Sequence, residues 1–533
     1  MPDPTTSPTS PPNLLLITSD QQHWATLGIN NPDIQTPGLD RLAKLGTNFT
    51  RAYCPNPTCT PTRASIITGM YPSAHGAFTL GTKLPEYQPT LGQHLKTLGY
   101  HSSLIGKAHF QPLKSTDDSP GVEAYPNIRD LDFWRTFNDT HTPWYGFDHC
   151  ELTRNHSDEG HVGQHYALWL EEQGLDNWRD YFQPRTDGIK DTPTDGDLAP
   201  VETPGYGMRE DMHWKLPEEL HYTRWTGLRT IAAIERAHAN NQPFFIWSSY
   251  HDPHPPYCVP EPWASMYKPE DMKVAQFTPG EFDDMPPPHR MTQEDGANFH
   301  PFNVDRRGNH GYQRHNHLSH ADYQRAQACY YGMISFMDHW ISQTLDKLEA
   351  LGILDNTLIV FTSDHGHFLG HHGLDQKGPF HYEDVIRVPY LAAWPGHIPA
   401  DAESDALQTL VDIAPTFLDA AGRESTPLEM QGESQLERWT GQADGRRTEV
   451  FVENHHNASD AVHLRTLITD RYKLTVYRGR DWGELFDLQE DPGELVNLFD
   501  KPEARETRAM LMEQMVQADL AREPAPMPRV AGA

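Results

Sequence analysis

Short apolar runs that break off at charged or amide side chains constrain this chain more than any other feature. Leu14-Leu15-Leu16-Ile17-Thr18 reads as a buried strand and ends in Ser19-Asp20-Gln21-Gln22. Further strands are expected at 102–105, 243–248, 357–362 and 388–393. Helical patterns fall between them, at 37–46, 91–98, 223–239, 321–351 and 409–421. In the longest, Cys329, Ile334, Met337, Ile341, Leu345 and Leu348 recur at helical spacing, and Gly352 closes it. This alternation predicts an α/β fold with a large, mainly parallel sheet flanked by helices. Ligand-binding loops in such folds follow the strand C-termini. Beyond about residue 425 the pattern changes to short alternating stretches at 464–469 and 472–477 and a helix at 505–520. The expected organisation is a disordered Pro/Ser/Thr leader (1–12), an α/β body (13–425) and a smaller C-terminal α+β domain (426–533). Two irregular insertions interrupt the body, at about 110–220 (with a short helix at 165–173) and 268–318.

Composition narrows the partners. With 43 Lys and Arg against 74 Asp and Glu, the net charge of −31 argues against nucleic acid and anionic lipid. No stretch approaches the roughly 18 apolar residues of a membrane span, and the N-terminus lacks the basic and apolar regions of a secretory signal. Five cysteines, few and odd in number, argue against a disulfide framework and for a reducing compartment. A cytoplasmic protein is expected.

Several segments carry candidate chemistry. In Cys59-Thr60-Pro61-Thr62-Arg63 the thiol stands at an expected helix start, where anions are stabilised and thiol pKa values fall. Arg63, one turn on, could hold a tetrahedral oxyanion. The plainer reading is a structural cysteine beside a helix cap, and Cys54 reads as a buried spacer. Asp20 with Gln21, and Asp364 with His365, follow strands. Carboxylates there suit Ca²⁺, Mg²⁺ or Mn²⁺, and an imidazole tilts the set toward Mn²⁺ or Zn²⁺. A lone Asp at a strand end is more often a cap or turn residue. Lys107 and His109 follow the strand at 102–105, His251 and His254 follow that at 243–248, and Lys377 lies twelve positions after His365. Among 31 histidines most are necessarily not catalytic. The coincidence is what points to one site on one sheet edge.

The order of these motifs resembles the formylglycine-dependent sulfatase family of the alkaline-phosphatase-like superfamily. The resemblance rests on NLLLITSDQ, CTPTRASIITGMYPSAHG, GKAHF, HDPHPP, TSDHGHFLGHHGLDQKGPFHYEDVIRVPYL and GELFDLQEDPGELVNL. It implies hydrolysis of a sulfate ester, from a sulfated sugar or an aryl or alkyl sulfate, to sulfate and an alcohol. It implies that a formylglycine-generating enzyme converts Cys59 to formylglycine, the nucleophile. Asp20, Gln21, Asp364, His365 and the modified Cys59 would hold one divalent metal, and Arg63 would orient the formylglycine. Lys107, Lys377 and His254 match sulfate-contacting positions. His254 or Lys377 would protonate the leaving alcohol, and His109 would act as the base that releases sulfate. Ca²⁺, usual for sulfatases, is implied as the metal; Gln21 and His365 stand where many sulfatases have Asp and Asn, a departure that makes Mn²⁺ the alternative. The same two residues resemble phosphonate monoester hydrolases, so a phosphonate monoester or phosphodiester hydrolase remains the second reading. The insertions are expected to wall the pocket. For their Trp134, Trp144, Tyr145, Trp178 and Trp214, stacking on substrate and loop-core packing are both open. His310, His315 and His317 read as solvated loop. Oligomeric state is not readable.

Overall fold

Leu14 and Leu16 face one hydrophobic core and Leu15 and Ile17 another, because successive side chains of a strand point to opposite faces. The same split divides Phe245 and Trp247 from Phe244 and Ile246, and Leu358 and Val360 from Ile359 and Phe361. Strands apolar on both faces must be covered on both, which is why these runs lie at the centre of a layered α/β body. The structure is a computed structural model that describes residues 11–113, 121–154, 162–182, 214–294, 319–443, 446–456 and 462–523. Residues 1–10 of the expected leader, much of both insertions, and His310, His315 and His317 lie outside the described residues.

The main sheet contains β1 (Asn13–Ser19), β2 (Thr47–Phe49), β4 (His101–Gly106), β5 (His149–Leu152), β6 (Phe244–Ser249), β7 (Thr357–Ser363), β9 (Tyr390–Ala393) and β10 (Ala402–Ser404). A small sheet joins β3 (Ala52–Tyr53), β8 (Arg387–Val388) and β11 (Gln408–Thr409). A third comprises β12 (Glu449–His455), β13 (His463–Thr469), β14 (Tyr472–Tyr477) and β15 (Gly483–Asp487), all antiparallel. The main order is β10-β2-β9-β7-β1-β6-β4-β5. Every neighbouring pair is parallel except those made by β9, which runs against β2 and β7.

One core face is covered by helices Cys59–Thr68 and Ile413–Ala420, the other by Pro37–Leu45, Tyr222–Ala239 and His320–Ala350. The last starts at a reciprocal cap between Ser319 and Asp322. Two expectations change in detail. The run at 388–393 is two strands in two sheets, split at Pro389, which has no N–H for a ladder. Its second half is antiparallel to β7, from which only a 3₁₀ turn, the one-turn helix Glu383–Ile386 and β8 separate it, with no long helix to carry the chain back across the sheet. The stretch at 409–421 begins as the end of β11 and a short 3₁₀ turn, and becomes α-helical only at Ile413. On the antiparallel C-terminal sheet, Phe451, Leu467 and Leu474 pack with Leu511 and Met515 of helix Arg505–Ala521, while Val450, Val452 and Ile468 join the core of the body.

Candidate active site

The central strands end level with one another. Thr18 is in register with Ser249 and Thr362, Ser19 with Ser363, and Gly106 with Ser249. The residues that follow therefore leave the sheet side by side, and their backbones stay bonded: Asp364 N to Ser19 O (3.3 Å), Lys107 N to Ser249 O (3.0 Å), Asp20 N to Asp252 O (3.2 Å). Gly106 has φ +99°, and a Cβ there would collide with the Ser249 carbonyl oxygen. Level strand ends thus turn four separate motifs into one site.

Cys59 is the first residue of helix Cys59–Thr68, whose ten residues are all buried. Its Sγ lies 3.1 Å from Lys377 Nζ, 3.2 Å from His365 Nε2 and 3.6 Å from Asp20 Oδ1. Lys377 Nζ also meets His254 Nε2 at 3.0 Å, and Lys107 Nζ pairs with Asp20. Arg63 is largely committed within the protein. Its Nε donates to Asp364 Oδ2 (2.8 Å), and one terminal nitrogen donates to Lys107 O (3.0 Å) and Ser249 Oγ (2.6 Å). Only the other terminal nitrogen has no hydrogen-bond partner, so most of this guanidinium is spent on Asp364, Lys107 and Ser249 instead of facing a ligand.

Burial and charge inside this pocket shift each group. Burial, with Asp364 and Cys59 adding to it, raises Asp20 to about 7 against the pull of Lys107 and Arg63. Burial also raises the Cys59 thiol, but Lys107 and Lys377 carry it below its ordinary value. Asp364 stays below the usual carboxylate range despite burial, held there by His365, Arg63 and Lys107. Burial lowers His365 to about 4, and burial with Lys377 keeps His254 well below its usual value, so both imidazoles are neutral near pH 7.

The donor set suits a divalent cation. One ligand atom each from Asp20, Cys59, Asp364 and His365 lies within 4.8 Å of the others. His365 Nδ1 faces the Gly366 carbonyl at 3.0 Å. A carbonyl can only accept, so Nδ1 carries the proton and the Nε2 lone pair is presented to the cluster. Gln21 is held at φ +63°, its N–H on Asp364 Oδ1 and its carbonyl accepting from Tyr330 Oη. Its side-chain amide is buried without a hydrogen-bond partner, so a cation on its oxygen would satisfy it.

His109 is placed differently. Among the described residues no hydrogen bond joins it to Cys59, and its Nδ1 is buried without a partner. It has φ +57°, and the carboxylate of Glu123 accepts the N–H groups of His109 (2.8 Å), Phe110 (2.8 Å) and Gln111 (3.0 Å). Burial and the cations Arg154, Lys107 and Arg63 keep its imidazole neutral. Glu123 had no sequence signal, since a carboxylate 14 positions away reveals nothing of which amides it will meet. Asp252 lies inside the HDPHPP motif but was given no role there: it accepts from Tyr222 Oη (2.8 Å) and Thr223 Oγ1 (2.5 Å) and so braces the loop that carries His254. His251 points away, to the Thr153 carbonyl. Trp134, Trp144, Tyr145, Trp178 and Trp214 are all buried in hydrophobic clusters, so the insertion aromatics are core and not a stacking platform. Cys54 is buried, its thiol on Val385 O.

A second cluster arises on the same loop. Asp384 Oδ1 meets His23 Nε2 (3.0 Å) and His371 Nδ1 (3.2 Å), and its Oδ2 meets His372 Nε2 (3.4 Å), whose Nδ1 faces Glu281 (3.4 Å). Of these, Glu281, His371, His372 and Asp384 line a cavity of about 720 Å³ beside Trp24 and Arg387. Here Ala25 N–H donates to His23 Nδ1 (3.1 Å). The proton is therefore on Nε2, where it is given to Asp384, and that nitrogen has no lone pair for a metal.

Comparison with known proteins supplies the family. The Sulfatase family model matches residues 12–423, and the model of the N-sulphoglucosamine sulphohydrolase C-terminal region matches residues 370–521. An arylsulfatase of Clostridium perfringens is 29% identical over 93% of this chain and 92% of its own length. An N-acetylglucosamine-6-O-sulfatase of Bacteroides thetaiotaomicron is 26% identical over 96% of this chain and 87% of its own. Among solved structures, a phosphonate monoester hydrolase of Agrobacterium radiobacter superposes with TM-score 0.72 over 96% of both chains at 23% identity.

Proposed function

This chain belongs to the sulfatase family and is a sulfuric ester hydrolase, and from that premise we propose that Cys59, converted to formylglycine, is its nucleophile beside one divalent metal. The observation that carries the reading is the setting of Cys59 at a buried helix N-terminus, 3.1 Å from Lys377 and within reach of Asp20, Asp364 and His365. When present, the modified side chain supplies a hydroxyl nucleophile and the metal withdraws electron density from the bound sulfate. Asp20, Gln21, Asp364 and His365 would hold the metal, Ca²⁺ first and Mn²⁺ as the alternative.

The chain's own residues do the rest. Lys107 and Lys377 neutralise the sulfate oxygens, and Arg63 fixes Asp364 with one nitrogen left for the anion. Of the two candidate acids, the geometry favours Lys377. His254 Nδ1 faces the Pro255 carbonyl, so its Nε2 is an acceptor and takes a hydrogen bond from Lys377 Nζ. Lys377 then protonates the leaving alcohol while His254 aims it. His109, neutral and with an unpartnered Nδ1, accepts the proton whose loss releases sulfate. We take the substrate to be a sulfated saccharide, as suggested by the saccharide sulfatase among its relatives, with aryl and alkyl sulfates as simpler members of the class. We assign it to the cytoplasm, because no disulfide joins its five buried cysteines. Maturation requires a formylglycine-generating enzyme.

Two measurements test this. Conversion of Cys59 lowers the mass of its peptide by about 18 Da, and an unmodified peptide from active enzyme would remove the nucleophile. Turnover of aryl sulfates should exceed that of aryl phosphonates. The opposite order would favour the phosphonate hydrolase reading, which Gln21 and His365 support.

A further inference from the structure

The ligand cluster around Cys59 is assembled with the sulfur in place. Sγ stands 3.2 Å from His365 Nε2 and 3.6 Å from Asp20 Oδ1. Zinc bound tetrahedrally at about 2.3 Å from sulfur and about 2.0–2.1 Å from nitrogen or oxygen sets such ligand pairs roughly 3.3–3.7 Å apart. The sulfur–carboxylate pair falls within that range and the sulfur–imidazole pair just short of it, and Lys377 Nζ, now 3.1 Å from Sγ and 3.4 Å from Nε2, would give way to the ion. His365 offers its unprotonated Nε2 inward and ties Nδ1–H to a backbone carbonyl, the arrangement of a ligating histidine. Asp20 and Asp364 complete a set of one sulfur, one nitrogen and two carboxylates, all buried. A thiolate makes such a set thiophilic. Replacing that sulfur by oxygen leaves three or four oxygens around one imidazole, which suits a harder ion.

We propose that the chain with Cys59 unmodified holds a thiophilic divalent cation of the zinc class in this pocket, so that conversion of Cys59 changes the metal selected as well as the nucleophile. The first half stands on the geometry alone, and the second rests on the formylglycine reading. Binding forms a metal–sulfur bond and releases the thiol proton to solvent, with no change of oxidation state.

The test uses full-length protein produced without formylglycine-generating activity, beside Cys59→Ser and His371→Ala, each checked for a native melting profile. Co²⁺ is the probe. The unmodified chain should give a thiolate-to-cobalt charge-transfer band in the near ultraviolet that Zn²⁺ removes and Ca²⁺ does not. His371→Ala should keep the band. Cys59→Ser should lose it and bind Zn²⁺ more weakly by at least the roughly 10–100-fold that even an outer-shell partner can contribute. Equal Zn²⁺ affinity in the unmodified chain and Cys59→Ser, or cobalt binding without the band, would overturn the proposal and leave the hard-metal reading of the converted enzyme standing. Should Cys59→Ser fail to fold, His365→Gln serves instead, and an unchanged Zn²⁺ affinity there has the same force. If neither the unmodified nor the converted protein binds any divalent ion, both readings fall together.

Discussion

Two clusters of histidine and carboxylate hang from one loop of this protein, and they are opposites. Around Asp364, His365 is neutral with its Nε2 lone pair turned inward, and three cations, Arg63, Lys107 and Lys377, stand close by. Around Asp384, His23 spends its Nε2 proton on the carboxylate, and His372, clamped between Asp384 and Glu281, is raised to about 9. Both aspartates are held below the ordinary carboxylate range. What separates the clusters is whether the backbone group at Nδ1 accepts or donates. Gly366 C=O takes a proton from His365 Nδ1, whereas Ala25 N–H gives one to His23 Nδ1. A single backbone contact decides whether an imidazole turns a lone pair or a proton toward its neighbouring carboxylate, while the charge of the second cluster comes from His372, whose two ring nitrogens face Asp384 and Glu281.

The largest expected effect tests that division directly. Cys59→Ala should lower turnover by about 10⁴-fold or more, since it removes the nucleophile outright, while His371→Ala should leave kcat within about twofold. Comparable losses in both variants would mean the second cluster takes part in the chemistry. Next comes the clamp beside the reactive pocket. Glu123→Ala frees three backbone N–H groups and lets His109 leave its left-handed conformation. If His109 is the base that releases sulfate, kcat should fall by about 10²-fold, with KM falling in parallel because the first chemical step is untouched. A loss of kcat at constant KM would instead indicate a reduced fraction of folded enzyme.

Much of this was legible in the sequence because it depends on neighbours along the chain. An apolar run followed at once by Asp20, by Lys107 or by Asp364 states both the strand and the group at its end, and the sheet needs only to align the runs. The Cys59 helix and the long helix at 321–351 were visible for the same reason. What the sequence concealed depends on contacts made across the fold. The antiparallel course of β9 shows only in its pairing with β2 and β7, the engagement of Arg63 by Asp364 spans 301 positions, and Glu123 meets His109 only after the chain has turned back on itself. The insertion aromatics resemble substrate-stacking residues by type, and only their burial identifies them as core. In the segment DHGHFLGHHG the strand end singles out His365 beside Asp364, but nothing local tells that His371 and His372 will gather around Asp384.

The smallest effect concerns the strut. His372 is buried against Tyr382, their rings stacked at 3.8 Å, and it faces the carboxylates of Asp384 and Glu281, with Glu494 adding to the field. Burial works against its charge, and the carboxylates overcome that, raising it from 6.5 to about 9. A group whose folded pKa exceeds its unfolded value stabilises the fold fully below the unfolded value, and that stability disappears as the pH rises through the folded value. The wild-type protein should therefore lose about 2–3 kcal/mol between roughly pH 6.5 and 9 from this residue alone, measured by denaturant unfolding at fixed pH. His372→Gln should be less stable than wild type by about that amount at pH 6 and nearly equal to it at pH 9.5, the difference between the two proteins closing as the pH rises, with activity retained at both. A parallel decline in the two proteins would show that His372 carries no charge in the fold. The cluster would then be a neutral hydrogen-bonded group, and the contrast with the reactive pocket would rest on His23 alone.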